Sequence, residues 1–169
     1  MRRRKQSKPI PVKPIAIGVG IAIIAIVILA SYYLDQTKIS GQKFGDDLAL
    51  IQTDLKNETD TFDKQLTMYN NGQISKDDML KIADAHIANI QNILPRYDKL
   101  KPPETFVPSV QLFRLSTQTE IESDKYLREW IQTGDNSSKA KSDQLLQQSF
   151  QYEMTGLQSY GNAKATGSQ

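Results

Sequence analysis

From Pro14 to Leu34 the chain runs 21 residues without a charge, and beyond that run its apolar residues recur at intervals of three and four. A helix rising about 1.5 Å per residue needs about 20 residues to cross a hydrocarbon core of about 30 Å, so residues 14–34 are expected to form a transmembrane helix. Phe44, Leu48, Ile51, Leu55, Phe62, Leu66 and Tyr69 continue the helical spacing, with one polar gap at Glu58. No proline falls between Ile15 and Tyr69. The pattern predicts one long helix leaving the membrane, with Gly41 or Gly45 as hinges, broken at Asn70-Asn71-Gly72.

Three further helices follow. Ser75 with Asp77 and Asp78 behind it reads as an N-cap, and Met79, Ile82, His86, Ile90, Ile93, Tyr97 and Leu100 form the apolar stripe of the second helix. Pro95 is expected to kink or locally unwind it, and Pro102-Pro103 to end it. A third helix starts between Glu104 and Pro108 and carries Phe106, Val110, Phe113, Thr117, Ile121, Leu127 and Ile131, with Tyr126 and Trp130 beside the stripe and Gly134 as its stop. The fourth, from about Ser138 to Tyr160, carries Leu145, Leu146, Phe150, Met154 and Leu157, and residues 161–169 read as a flexible tail. No segment of the outer part alternates with period two. The expected fold is all-α: one N-terminal transmembrane helix continuing into an antiparallel bundle of about four helices over residues 35–160.

Charge fixes the orientation. Arg2, Arg3, Arg4, Lys5, Lys8 and Lys13 precede the apolar run with no acid among them, whereas Asp35 to Asp54 hold two lysines and four aspartates. Positive charge stays inside, so residues 1–13 are expected in the cytoplasm and the bundle outside the cell membrane. Residues 35–169 carry 15 basic against 19 acidic side chains, so the net +2 of the whole chain comes from the N-terminal stub. That stub indicates membrane topology and anionic head groups rather than nucleic acid. Tyr32 and Tyr33 stand where an interfacial aromatic belt belongs. A cleaved signal peptide fits less well, because the apolar core exceeds the 7–15 residues of a signal's central region and Ile28 and Ala30 make a poor cleavage site.

Candidate chemistry is sparse. The chain has no cysteine, so packing alone must hold an outward domain together. His86 is the single histidine, which excludes histidine-based metal clusters and Ser-His or Cys-His pairs within the chain. On its apolar stripe it reads as a core-edge residue with one hydrogen-bond partner. The sharper alternative is a pH-responsive or metal-contributing residue beside Asp84 or a glutamate of another helix. Glu120, Glu122 and Asp124 read as a solvated face, since a di-iron bundle would need Glu-x-x-His twice. Asp46, Asp47 and Asp54 lack the order of a calcium loop, and no phosphate loop, dinucleotide turn or nucleophile elbow is present. Asn57-Glu58-Thr59 and Asn136-Ser137-Ser138 match the N-glycosylation pattern, making Asn57 and Asn136 candidate acceptors. Of the aromatic residues, Tyr126 and Trp130 are the candidate anchors for a partner protein. Gly18, Gly20 and the alanines of the apolar run would let another transmembrane helix approach.

The segments Leu100-Lys101-Pro102-Pro103-Glu104-Thr105-Phe106 and Ser123-Asp124-Lys125-Tyr126-Leu127-Arg128-Glu129-Trp130-Ile131-Gln132-Thr133-Gly134-Asp135, in a small cysteine-free chain with one span, give it a resemblance to the single-pass helical membrane proteins of ammonia-oxidising archaea. The resemblance implies an accessory subunit of a copper-dependent ammonia monooxygenase, with copper held by partner subunits and no cofactor in this chain. The expectation is a non-catalytic protein that binds other membrane subunits. The alternative is a membrane-anchored sensor or ligand-binding ectodomain.

Overall fold

A computed structural model describes residues 39–167, with side chains over 43–166. The basic stub 1–13 and the apolar run 14–34 lie outside the described residues. Among the described residues, no helix is long and apolar enough to cross a membrane.

The described chain is all-α. Helix α1 spans Ile39–Asn70 and passes unbroken through Gly41 and Gly45. It stops where Gly72 adopts a left-handed φ of 72°. Helix α2, Lys76–Ile93, starts at Ser75, whose hydroxyl accepts from the Asp78 amide. Pro95 then acts as expected. Leu94–Lys99 tightens into a 3-10 turn, and the chain becomes extended at Leu100. A second short 3-10 turn, Glu104–Phe106, leads into α3, Val107–Thr133, which closes on Gly134 at φ 76°. Asp135 caps the start of α4, Asn136–Gly167, by accepting from the Ser137 amide. Residues 161–167 are therefore helical rather than a tail, and Ala163 is buried.

Cross-helix pairs set an up-down-up-down order. Asp54 meets Arg96, and Glu58 accepts from Asn89. Asp84 meets Arg128, and Asp98 meets Arg114. In each set the residue numbers run in opposite directions, which makes neighbouring helices antiparallel. These exposed pairs fix register more than they stabilise, at about 0–1 kcal/mol each.

Two hydrophobic clusters fill the interior. The first joins Phe44, Leu48, Ile51 and Leu55 of α1 to Ile87, Ile90, Ile93, Val110, Phe113, Ile121 and Tyr160. Rings of Phe44 and Tyr160 tilt against Phe106 from either side, at 5.5 and 4.9 Å between centroids. The second, toward the α1–α2 and α3–α4 turns, holds Phe62, Met79, Ala83, Leu127 and Ile131.

The packing of α4 differs from the expected Leu145–Leu157 stripe. Its buried line is Ser142, Ser149, Gly156 and Ala163, one small residue every seven. The facing line on α3 is Ser109, Ser116 and Ser123, also seven apart. The Ser116 and Ser149 hydroxyls each donate to the other residue's backbone carbonyl at 2.9 Å, and Ser123 donates to the Ser142 carbonyl at 2.9 Å. Small side chains let the two backbones close on one another, and the hydroxyls find partners across the seam. The large apolar residues of α4 are thereby turned to its flank. Leu157 reaches the first core, whereas Leu146 and Met154 stay 43% and 45% exposed. Helix α4 thus rests mainly on α3, and no described Cα of α1 comes within 8 Å of one in α4.

Candidate functional site: an interior polar belt

Between the two clusters each helix places polar residues where its apolar stripe would continue. On α1, Thr59 and Asp63 sit between or beside Leu55 and Phe62. On α2, His86 falls between Ala83 and Ile87. On α3, Glu120 and Asp124 lie between Thr117 and Leu127. Antiparallel packing brings these positions to one level and makes a belt.

His86 is 4% exposed and Asp124 6%. The imidazole stacks on Phe62 with centroids 4.1 Å apart and planes 4° apart. Its Nε2 lies 3.3 Å from Asp124 Oδ2, within ion-pair range. The pair is in ion-pair range without forming a hydrogen bond, which leaves Asp124 Oδ2 buried without one, and His86 Nδ1, on the other side of the ring, is likewise buried without one. Beside them, Thr59 donates to Glu120 Oε1 at 3.0 Å. One layer further, Gln52 donates to the buried Tyr97 hydroxyl at 2.7 Å, and that hydroxyl lies 3.3 Å from Thr117 Oγ1. Glu153 of α4, half-buried, is near enough for its charge to act on Glu120 and Tyr97.

Electrostatics follow from this crowding. Glu120 keeps partial access to water, yet protein surrounds most of its carboxyl. Burial, reinforced by the Asp124 charge, pushes it up to about 8 against the opposing hydrogen bond from Thr59. Burial alone pushes Glu153 up to about 7. Asp63 is raised by burial and then by Asp124, with His86 acting the other way. Burial also raises the Tyr97 phenol. Among the described residues, no lysine or arginine contributes to these shifts. The Lys56–Asp60 pair stands at its rim on α1.

The arrangement corrects the sequence reading at several residues. Glu120 and Asp124 are not a solvated face: at about 100° per residue, position 124 lies on the buried side of α3, about 20° from Phe113 and about 60° from Leu127 around the helix. Glu122 alone stays outside, paired with Lys125. The partner of His86 is Asp124, while Asp84 turns outward to the Arg128 guanidinium, which holds its carboxyl below the usual range. Among the described residues, no three side chains of metal-ligating type come together closely enough to hold a metal ion. Tyr126 and Trp130 are both half-buried. Trp130 packs on the second cluster with the Lys139 ammonium 5.9 Å above its ring. Asn57 is exposed in mid-α1 and Asn136 at the start of α4. The Thr59 hydroxyl of the first glycosylation pattern is engaged by Glu120.

No family model matches the sequence, and no curated protein or solved structure was found to be similar to it.

Proposed function

We propose that this chain is a non-catalytic, single-pass membrane protein whose outward helical bundle serves as an accessory or structural subunit of a membrane protein complex. A copper membrane monooxygenase such as ammonia monooxygenase is one such complex, its copper bound by partner subunits. The observation that carries the reading is the uncharged run of residues 14–34 with six basic residues on one side only. The described part of helix α1 runs from Ile39, a few residues past that run, into the bundle.

The polar chemistry of the bundle supports a binding role. The belt residues lie between the two packed clusters, with Thr59 bonded to Glu120 and His86 facing Asp124. A shallow groove of about 430 Å³ lies elsewhere, lined by Thr105, Thr155, Gln158, Ser159, Asn162 and Thr166, with no titratable side chain in its wall. Partner contact would fall on the outer helix faces, with Tyr126 and Trp130 as anchors. A second reading, a membrane-anchored sensor or ligand-binding ectodomain, is favoured by the orphaned polar atoms of His86 and Asp124.

Native membranes extracted in mild detergent, separated on a native gel and identified by mass spectrometry test the proposal. Co-migration with a larger membrane complex at fixed stoichiometry is the expected result. Migration alone, or as a homodimer, would remove the subunit reading and leave the sensor.

A further inference from the structure

The belt gathers more acid than its surroundings neutralise. Asp63 comes from α1, Glu120 and Asp124 from α3, and Glu153 from α4, with Lys56 and Asp60 already paired at the α1 rim. The α2 side supplies His86 and, through the following turn, the Tyr97 hydroxyl. Among the described residues, His86 is thus the fully buried group that can carry positive charge. It is more than nine-tenths buried and its Nδ1 has no hydrogen-bond partner, as is true of Asp124 Oδ2, which faces its Nε2 at ion-pair distance. Polar atoms in that state leave the interior short of protons or of donors.

The belt also lies where α1 faces α3 and α4, a seam across which no described Cα pair comes within 8 Å. Helices α3 and α4 are locked by the serine seam, and α1 and α2 are joined by Asp54–Arg96 and Glu58–Asn89. Helices α1 and α4 do not meet at backbone distance. Among the described residues, the Thr59–Glu120 hydrogen bond ties α1 to α3 at the belt. Glu120, Asp63 and Glu153 keep partial contact with water, which gives protons a way in and out.

We propose that this belt is a proton-loaded joint: with Glu120 and Glu153 protonated the two cores close on it, and with them ionised α1 draws away from α3 and α4 and water enters. Each carboxyl holds its proton as a neutral acid in the closed form. Above the transition each releases one proton to solvent, and like charges on α1, α3 and α4 then face one another across the interior. Burial, which lifts both glutamates toward neutrality, places the transition between mildly acidic and mildly alkaline pH. The joint does not depend on what the bundle binds.

The absence of cysteine allows a direct test. Spin labels on the full chain at Asn57→Cys of α1 and Gln147→Cys of α4, both exposed, report the separation across the belt. A narrow distance distribution at about pH 5.5 that lengthens and broadens by about pH 9 is expected, with helical shifts on the order of 1–2 Å or more. Glu120→Gln, which is neutral at every pH, should hold the narrow distribution at both. Identical distributions in the unsubstituted belt at the two pH values would overturn the proposal, as would a Glu120→Gln chain that still broadens. Should Glu120→Gln fail to fold, carboxyl-carbon NMR titration of the unsubstituted chain decides instead. A Glu120 midpoint above neutrality supports the joint, and one in the ordinary carboxylate range overturns it.

Discussion

Replacing Gly156 by alanine should destabilise the bundle, while the same change at Gly161, five residues along the same helix, should stabilise it. In helix interiors alanine is favoured over glycine by about 0.5–1 kcal/mol, mainly through the lost freedom of the unfolded chain. At Gly161 nothing lies within 4 Å of where a Cβ would sit, so the whole gain should appear. At Gly156 a Cβ would stand 2.9 Å from Phe113 Cε1, 3.0 Å from Cδ1 and 3.3 Å from Leu112 Cβ. Carbon atoms pack at about 3.5–4.0 Å, so something must move by about half an ångström or more. Phe113 is 1% exposed and wedged in the first core, which leaves it no free rotamer. Separating α3 from α4 would instead stretch the Ser116–Ser149 bonds two turns away. Overpacking of this kind costs about 1–3 kcal/mol. Against the propensity gain, Gly156→Ala should lose about 0.5–2 kcal/mol. Urea unfolding followed by the fluorescence of Trp130, the single tryptophan, measures both changes. A Gly156→Ala chain as stable as Gly161→Ala would refute the close approach of α3 and α4.

Three further outcomes are expected. Glu120 is raised in the folded chain, so folding takes up a proton: stability should be full below the ordinary value of 4.5 and fall as pH rises through about 8. Glu120→Gln should therefore flatten thermal melting against pH over that window and be more stable than the parent at about pH 8.5, by on the order of 1–2 kcal/mol after allowance for its partial exposure. His86→Ala removes the Phe62 stack and leaves Asp124 buried without a facing nitrogen, and should cost about 3–5 kcal/mol in the same urea assay. Arginine in place of Ile23 or Ile24, mid-run, should block stable membrane insertion, at about 3 kcal/mol, as read by carbonate extraction of membranes.

Most helix ends were legible because local chemistry fixes them. Ser75, Gly134 and the Pro95 turn act at the backbone within a few residues, so their effects need no knowledge of the fold. The stripes of α1, α2 and α3 were legible for a related reason, since large apolar residues at helical spacing must find a core. The α4 seam was not, because an apolar reading passes over serine and glycine. The signal was nonetheless in the sequence: Ser109, Ser116 and Ser123 recur every seven residues, as do Ser142, Ser149, Gly156 and Ala163. Small residues at that period mark where two helices touch backbone to backbone, and they push Leu146 and Met154 outward.

The belt was half legible. In the sequence, the polar gap in the α1 stripe at Glu58, the histidine on the α2 stripe and the inconspicuous step from Ile121 to Leu127 on α3 are each a local irregularity. Only antiparallel register shows that the three gaps coincide and that Asp124 fills one of them opposite His86. Helical spacing alone placed Glu120, Glu122 and Asp124 on a common surface, but they diverge by about 200° between positions 120 and 122 at about 100° per residue. Glu122 therefore faces water while Glu120 and Asp124 turn inward.

The anchored, outward-facing bundle is the claim on which the proposed function rests, and accessibility of single cysteines tests it most directly. In intact cells, Asn136→Cys at the exposed start of α4 should react with a membrane-impermeant maleimide, and Lys5→Cys should react only after lysis. Labelling of Lys5→Cys from outside, or protection of Asn136→Cys until the membrane is broken, would contradict the account.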